Sequence, residues 1–369
     1  MTKDTPSTNR QFTAISRRKF LGGAAALSGL ALSAPLLAAC GTDTKDAGSS
    51  GSSASGTPSS QAGSSSAAAS AGGGGKLIGL SLNGFVEYDK QVAQGVAKAL
   101  DGSGYELKIL QANFSDADEL SNLESLVAQG VDGLVILPNT INNVLTGLKK
   151  AEAAKIPSSL CLWAIPTVVD DYVSGVAFVD SVKGGRMIGD WVKENAKPGK
   201  VVVVQAVLGQ GFSENIDTGL DESLAGSGFE VVIREQGYFD RTKGTEVVQR
   251  ALQAHPDVTV VIDYAAAMGN GIASYLKQQG ITNITHVTSD GDEEMKSWMG
   301  TPYLAASRYY SAAETGLIGG QVMVDLLGGK KVEFENAVTQ VMMTGDNMTD
   351  VLAKTPLSYP EYADMLTGV

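Results

Sequence analysis

Amide, aromatic and acidic side chains recur in this chain at the points where short apolar runs end. The amide and carboxylate groups of Asn and Asp exchange hydrogen bonds with hydroxyl groups. An aromatic ring can cover the C–H face of a sugar or polyol. These residue types therefore favour a site for a small, hydroxyl-rich ligand. The segments concerned are 83–85, 111–113, 138–140, 163, 178–180, 209–215, 238–240, 264 and 289–291.

The apolar runs themselves predict the elements that position these segments. They are 77–82, 107–110, 133–137, 159–162, 201–204, 230–233, 259–262 and 286–288. Stretches with apolar residues three or four positions apart separate them, and this alternation predicts α/β architecture with parallel sheets. Eight such units are too many for one doubly wound sheet, so two similar halves are expected. In open α/β sheets ligands bind beyond the carboxyl ends of the strands, where the polar and aromatic segments fall.

The composition excludes several classes of protein. The chain has 28 Lys and Arg against 40 Asp and Glu, a net charge of −12. No basic excess is left to hold phosphates, so no nucleic-acid partner is expected. Two cysteines and two histidines leave little for a disulfide scaffold or a metal site, and neither a metal nor a cofactor is expected. Cys161 lies in an apolar strand pattern and is expected to be a buried, unreactive thiol.

Residues 1–39 have the composition of a cleaved export signal. They carry five basic side chains and one acidic side chain, with a weakly apolar run over 21–37. Glycine, serine and proline interrupt this run, which makes it a poor permanent membrane helix. The stretch 16–21, with its pair Arg17 and Arg18, resembles a twin-arginine export signal. The alternative is a chance arginine pair ahead of a buried helix.

The tetrapeptide Leu-Ala-Ala-Cys at 37–40 resembles a bacterial lipobox, in which the cysteine is acylated and becomes the new N-terminus. Cys40 is therefore the expected lipidation site. Its acyl chains would hold the protein at the outer face of the cytoplasmic membrane without a spanning helix. Residues 41–75 are almost wholly glycine, serine and alanine. Together with Cys40, the segment 40–75 is expected to be a disordered, lipid-anchored tether.

Five stretches between residues 78 and 344 match one family of proteins in their order and spacing. They are AQGVDGLVI at 128–136, AKIP at 154–157, FDRTKG at 239–244, AHPDV at 254–258 and SDG at 289–291. On these stretches the chain resembles the periplasmic sugar-binding proteins of the ribose and galactose type, the solute receptors of ABC importers. The resemblance implies an α/β fold of two Rossmann-like lobes with parallel sheets, joined by three crossovers, known as periplasmic binding protein type I.

The resemblance also implies where the domains begin and end. The N-terminal lobe is expected to comprise 76–180 and 310–339, and the C-terminal lobe 181–309 and 340–350. Residues 351–369 remain as a C-terminal tail with no functional interpretation. The crossovers are expected near 179–181, 309–311 and 338–340.

A set of ligand-binding residues follows from the same resemblance. Asp290 matches the family aspartate that holds sugar hydroxyl groups; the alternative is a cap on the helix expected to begin two residues later. Phe239 matches an aromatic residue lining the family cleft, with an ordinary core position as the alternative. Asn83 falls at the end of the first strand. Tyr88 stands where the family has a stacking aromatic residue, and Phe85 competes with it for that place.

The chain departs from the ribose-type members at several positions. Trp163 and the residue before it replace an Asp-Arg pair, and Trp163 either stacks on the ligand or belongs to the core. Asn215 lies beside the place of a family arginine, and Tyr264 beside that of an asparagine. Tyr310 replaces a glutamine at a crossover. Nearby Arg308 either replaces a lost cation or forms a surface salt bridge. These changes make ribose itself an unsafe assumption.

The function implied is that of an extracytoplasmic solute-binding lipoprotein. It is expected to capture a sugar or polyol by lobe closure, as a monomer, and to deliver it to the membrane permease of an ABC importer. The alternative is a sensor that presents its ligand to a signalling receptor. A transcription regulator of the same fold would need a DNA-binding headpiece, and the export signal occupies that place.

An exported oxidoreductase using NAD is the remaining alternative. Gly209-Gln210-Gly211 follows a predicted strand, like the start of a dinucleotide-binding fingerprint, but Glu214 stands at the third glycine position. The sequence also lacks a P-loop, a His-Glu-x-x-His motif and a Gly-x-Ser-x-Gly elbow. The chain is therefore not expected to be an enzyme.

Overall fold

A computed structural model describes residues 76–163 and 169–369 of the chain. The predicted twin-arginine signal, the lipidation site Cys40 and the tether up to residue 75 lie outside the described residues. Among the helices that are described, none is both long enough and apolar enough to cross a bilayer.

The first part of the chain alternates strands and helices up to residue 178. Its elements are β1 (Lys76–Leu82), α1 (Glu87–Leu100), β2 (Tyr105–Gln111), α2 (Asp116–Ala128), β3 (Gly133–Leu137), α3 (Ile141–Ala153), β4 (Ser158–Leu162) and β5 (Gly175–Phe178). The next part repeats the alternation with α4 (Ser181–Asn195), β6 (Lys200–Gln205), α5 (Phe212–Leu224), β7 (Glu230–Gln236), α6 (Arg241–Ala254), β8 (Val258–Asp263), α7 (Ala266–Gln278), β9 (Thr285–Ser289), α8 (Met295–Trp298) and β10 (Ala306–Tyr309). The chain ends with α9 (Ala312–Leu327), β11 (Glu335–Ala337), β12 (Val341–Thr344), α10 (Met348–Lys354) and a 3-10 helix over Pro360–Leu366.

The strands form two six-stranded sheets, one in each lobe. The first lobe has the order β11-β5-β4-β3-β1-β2, and the second has β12-β10-β9-β8-β6-β7. The strands of the first sheet pair in parallel, whereas β12 runs antiparallel to β10 at the edge of the second. Strands such as β3 and β4 are buried along their whole length because helices cover both faces. The predicted two-lobed α/β fold is confirmed.

The chain passes between the two sheets in three places. They lie between β5 and α4, between β10 and α9, and between β11 and β12. Helix α9 packs against α1, β4 and β5 of the first lobe, although it follows a strand of the second. We refer to these three crossovers together as the hinge. They lie beside β5, β11, β10 and β12, so β2 and β7 are the sheet edges farthest from the hinge.

The C-terminal segment connects the two lobes again. Helix α10 packs against β12 of the second lobe, and the 3-10 helix packs against α1 of the first. Between them, the carbonyl of Thr355 accepts from the hydroxyl of Tyr309 at 2.7 Å, and the carbonyl of Pro356 accepts from Ser311. The backbone N–H of Tyr359 then donates to Gln94 of α1 at 3.0 Å. Residues 351–369, which the sequence left without an interpretation, therefore lie across the second crossover.

Leu357 anchors this segment, because its side chain is 5% exposed and belongs to a cluster with Met295, Tyr309 and Met343. We expect Leu357→Ala to lower the free energy of unfolding by about 2–4 kcal/mol, since it removes buried contacts and leaves a cavity. Urea denaturation followed by circular dichroism measures this. The control is Leu208→Ala, whose side chain is 42% exposed and should change stability by about 0.5 kcal/mol or less. If the two variants lowered the free energy of unfolding equally, Leu357 would not anchor the C-terminal segment.

Candidate ligand-binding cleft

The two lobes meet at the carboxyl ends of their strands. The side-chain amide of Gln210, in the loop after β6, donates to the carbonyl of Asn139, in the loop after β3, at 3.3 Å. The rings of Trp163, which follows β4, and Phe212, which begins α5, pack edge to face with centroids 5.7 Å apart. Loops of both lobes therefore form one cleft, in the place where α/β sheets bind ligands.

Five rings form a continuous aromatic cluster in this cleft. The ring of Tyr88 lies 5.9 Å from that of Trp163 and 6.3 Å from that of Tyr310. On the other side of Trp163, Phe212 lies 6.0 Å from Phe239. Tyr88 and Trp163 belong to the first lobe, Phe212 and Phe239 to the second, and Tyr310 to a crossover. The cluster can therefore offer ring faces to a ligand from both sides.

Asp290 lies at the end of β9, where the backbone adopts a positive φ of 55°. Its Oδ1 accepts a hydrogen bond of 2.8 Å from the backbone N–H of Ala266, the first residue of α7. Burial raises the pKa of the Asp290 carboxyl well above its usual range. The alternative of a cap on the following helix is wrong, because Asp292 accepts from the N–H of Met295 there. A strained aspartate at a strand end is typical of a functional site.

Arg308 is completely buried, so the surface salt bridge considered for it is wrong. Its guanidinium carbon lies 4.6 Å from the ring centroid of Tyr310 and 5.8 Å from that of Phe212. Gly184 of α4 makes room for it, because a Cβ there would lie 2.7 Å from Nη1. Burial lowers the pKa of Arg308. The structure therefore brings a cation and Asp290 to the same aromatic cluster.

The guanidinium of Arg308 is connected to the hinge. Its Nη1 donates to Oε1 of Gln340, in the third crossover, at 3.0 Å. The Nε2 of Gln340 donates to the carbonyl of Asp180, in the first crossover, also at 3.0 Å. Arg308 itself lies in β10, just before the second crossover. Arg308 is thus hydrogen-bonded directly to the third crossover and through Gln340 to the first, and it directly precedes the second in the chain.

The first lobe supplies a polar group at the end of β1. Asn83 is 7% exposed, and its Oδ1 has no hydrogen-bond partner in the part of the chain that the structure describes. A side chain at Gly84 would displace the exposed ring of Phe114, because a Cβ there would lie 2.2 Å from that ring. Phe85, the competitor of Tyr88, is half-buried with the Nζ of Lys90 5.3 Å from its ring centroid. Of the two, Tyr88 is the one that joins the aromatic cluster.

Two further predicted site residues have other surroundings. Tyr264 is fully buried in the core, and its hydroxyl donates to Oδ1 of Asp217 at 2.6 Å. This hydrogen bond occupies its polar group, so the structure favours a structural role. Asn215 is half-buried in the first turn of α5, three residues after Phe212. Phe212 and Gln340 are cleft residues missing from the predicted set. Their sequence signals were the strand-end segment 209–215 for Phe212 and the expected crossover at 338–340 for Gln340.

A buried polar network fixes the strand ends below the cleft. The carboxylate of Asp263, at the end of β8, lies 2.8 Å from Nε2 of His286 and accepts from the hydroxyl of Thr288 at 2.7 Å. Nδ1 of His286 lies 2.7 Å from the carbonyl of Tyr303 and must donate to it, because a carbonyl only accepts. The histidine therefore has a structural role. The network joins β8 to β9, which ends next to Asp290.

Exposed apolar side chains line the mouth of the cleft, away from the hinge. They are Val86, Phe114, Leu208, Tyr238 and Phe239, with exposures of 40–52%. The loops after β2 and β7 repeat the same geometry, because two consecutive residues in each have positive φ: Asn113 and Phe114 in the first lobe, and Tyr238 and Phe239 in the second. Bulky residues rarely adopt this conformation. It turns an aromatic side chain outward at the same point of each lobe.

Asp89, in the first turn of α1 next to Tyr88, gives a pH-dependent prediction. It is 2% exposed, and burial raises its pKa to about 7. The unfolded chain titrates near the ordinary value of about 3.9, so the folded state loses stability as the pH rises from about 4 to 7 and stays lower above 7. We expect Asp89→Asn to stabilise the protein at pH 8 by about 1–3 kcal/mol, after the cost of burying the amide. Thermal unfolding at pH 8 and pH 4.5 tests this; a gain of the same size at both pH values would contradict it.

Residues 78–331 match the family model described as a periplasmic binding protein domain. The chain belongs to the periplasmic binding protein family. The ribose import binding protein of Salmonella typhimurium is 31% identical over 240 residues, which are 65% of this chain and 80% of that protein. The galactofuranose-binding protein of Escherichia coli is 30% identical over 184 residues, 48% of this chain and 58% of that protein.

Solved structures agree on the fold of this periplasmic binding protein. The binding protein of the arabinose ABC transporter from Shewanella superposes with a TM-score of 0.70 at 22% identity, covering 80% of this chain and 99% of that one. The relatives are named as binding proteins, not as enzymes. At the level of the family, the chain is therefore an extracytoplasmic binding protein.

Proposed function

We propose that this periplasmic binding protein captures a sugar or polyol in the cleft between its lobes. One observation carries the proposal: Asp290 and Arg308, both ionisable, lie at the carboxyl ends of second-lobe strands beside rings that both lobes supply. Carboxylate, guanidinium and amide groups suit hydroxyl groups, and the rings suit the C–H faces of the ligand. The relatives named for ribose, galactofuranose and arabinose support a carbohydrate.

The ligand would act by joining the lobes. A molecule that contacts Tyr88 and Asn83 of the first lobe and Asp290 and Arg308 of the second binds the closed form better than the open one. It therefore shifts the population towards the closed form. The hinge, held by the link from Arg308 through Gln340 to Asp180, is where this movement would occur. No conversion of the ligand is expected.

Calorimetry of the full-length chain against pentoses, hexoses and polyols tests the proposal. We expect at least one compound to bind with a dissociation constant of about 1 μM, which corresponds to about −8 kcal/mol. The absence of heat, and of any shift in the unfolding temperature, across the whole panel would contradict a carbohydrate ligand.

The closed protein would then deliver its ligand to the permease of an ABC importer. The apolar side chains at the mouth of the cleft support this, because exposed apolar groups contributed by two moving lobes suit a partner that recognises the closed form. Uptake of the radiolabelled ligand by cells lacking the gene, with and without the gene restored, distinguishes an importer from a sensor. Restored uptake is expected; unchanged uptake with a lost transcriptional response would favour a signalling receptor.

Membrane attachment would depend on Cys40, which is the proposed site of acylation after export through the twin-arginine signal. We expect Cys40→Ala to move the protein from the membrane fraction to the soluble fraction, because one or more acyl chains provide the attachment. Fractionation and immunoblotting of cells measure this. Cys161→Ala is the matched control, since Cys161 is fully buried, as predicted, and burial raises the pKa of its thiol to about 12. Unchanged membrane association of Cys40→Ala would contradict the lipobox.

A further inference from the structure

Two hydrogen-bond donors of the Arg308 guanidinium are unpartnered in the part of the chain that the structure describes. Its Nη1 is bound to Gln340, but neither Nε nor Nη2 has a hydrogen-bond partner among residues 76–163 and 169–369. Arg308 also forms no ion pair with a carboxylate in those residues. Residues 164–168, which lie outside the described ranges, include no acidic residue in the sequence. A fully buried guanidinium without a counter-ion is unfavourable.

The two unpartnered donors lie on one edge of the guanidinium. The position of Nη1 against Gly184 and Gln340 turns that nitrogen towards α4 and the hinge. Nε and Nη2 form the lateral edge, whose parallel N–H groups match the two oxygens of a carboxylate. The rings of Tyr310 and Phe212 flank the guanidinium at 4.6 and 5.8 Å and place it within the aromatic cluster.

Asp290, which also lies in the cleft, does not bind the Nε and Nη2 edge of Arg308. Its Oδ1 is bound to the N–H of Ala266, and it is not within ion-pair distance of Arg308. Burial raises the pKa of Asp290, so its carboxyl accepts a proton more readily than an exposed aspartate.

We propose that the natural ligand is a sugar acid, an aldonate or a uronate, whose carboxylate binds Nε and Nη2 of Arg308. Its hydroxyl groups bind Asp290 and Asn83, and its carbon skeleton lies against the aromatic cluster. This assignment rests on the proposed function and names the ligand class of the same site. Because Arg308 is linked through Gln340 to Asp180, capture of the carboxylate also fixes the hinge.

Matched pairs of ligands test the assignment by calorimetry on the full-length chain in detergent at pH 7.5. The pairs are D-galactose with D-galacturonate, D-glucose with D-gluconate and D-glucuronate, L-arabinose with L-arabinonate, and D-ribose with D-ribonate. We expect one acid to bind at least about tenfold more tightly than its neutral partner, equivalent to about 1.4 kcal/mol. Comparing the affinities of the uronates with those of the aldonates shows which of the two kinds of acid the site prefers.

Three variants separate the carboxylate contact from other effects. Arg308→Met should reduce the preference for the acid to less than about threefold, because it removes both donors and the charge. Arg308→Lys keeps the charge but loses the two parallel N–H groups of the lateral edge, so it should bind the acid at least about tenfold more weakly than the unmodified chain. This second variant provides a test if Arg308→Met does not fold. Arg250→Met, which removes an exposed arginine paired with Glu235, should leave both affinities unchanged.

The outcomes distinguish failure of this assignment from failure of the proposed function. Neutral sugars that bind as tightly as every acid would overturn the sugar acid and leave the proposed function intact. A preference for the acid that persists in Arg308→Met would show that another group holds the carboxylate and would also overturn the assignment. The absence of binding to every member of every pair, and to every pentose, hexose and polyol of the calorimetric panel, would overturn both.

Discussion

Replacing Asp290 with alanine is expected to weaken ligand binding by about 100-fold or more. Hydrogen bonds to a charged acceptor contribute about 1.5–3 kcal/mol each, and 1.4 kcal/mol corresponds to a factor of ten. A carboxyl group with one oxygen bound to Ala266 still has room for two hydroxyl groups of the ligand. Calorimetry with the tightest-binding compound of the panel measures the change.

The fold should survive this substitution, because Asp290 lies at the end of a strand. Thermal unfolding of the variant checks this directly. The matched control is Asp257→Ala, which removes an exposed carboxylate paired with Lys200 and should leave the affinity unchanged. If Asp290→Ala bound the ligand as tightly as Asp257→Ala did, Asp290 would not belong to the site.

Replacing Asp263 with alanine should lower the free energy of unfolding by about 3–5 kcal/mol. The change removes one partner of a buried pair and leaves Nε2 of His286 without its hydrogen-bond partner in a fully buried site. It also leaves the hydroxyl of Thr288 unpaired, which adds a desolvation cost. Urea denaturation at pH 7.5 measures the effect.

A double-mutant cycle separates this network from simple loss of volume. Because the two groups depend on each other, Asp263→Ala with His286→Ala should cost much less than the sum of the two single changes. Asp190→Ala, which removes an exposed carboxylate paired with Lys193, should cost about 1 kcal/mol or less. If the stability losses of the two single variants simply added up in the double variant, Asp263 and His286 would not be energetically coupled.

The order of apolar runs was sufficient to predict two α/β lobes with parallel sheets, because strands buried on both faces are nearly free of polar residues. The run 201–204, four consecutive valines, is fully buried in β6. Short strands were beyond this reasoning. Strands β11 and β12 have three and four residues, and their pairing with β5 and β10 is determined by the crossovers, not by any local pattern.

The site was predictable only to the level of the strand ends. Sequence position placed Asp290, Trp163 and Asn83 after strands, but it could not say which hydrogen bonds their side chains would make. Arg308 shows the limit most clearly. It lies inside a strand, where an arginine suggests a surface, and only the packing of Gly184 and Tyr310 around it shows that it is buried.

Tyr264 shows the opposite limit, because its position suggested a ligand contact. Its hydroxyl donates to Asp217, which is in turn 3.2 Å from Nε of Arg234. These partners lie 47 and 30 positions away in the chain and could not be inferred from local sequence. The C-terminal segment was equally unpredictable, since its partners Gln94, Tyr309 and Ser311 belong to three different elements or loops.

A crystal structure of the chain with its tightest-binding carbohydrate tests the central claim most directly. We predict the ligand in the cleft, beside the ring of Trp163 or Tyr88, with oxygen atoms within hydrogen-bond distance of both Asp290 and Arg308. A ligand bound elsewhere, such as in the surface groove of about 350 Å³ between α6 and α7 that Arg241, Thr245 and Tyr275 line, with an empty cleft, would contradict the account.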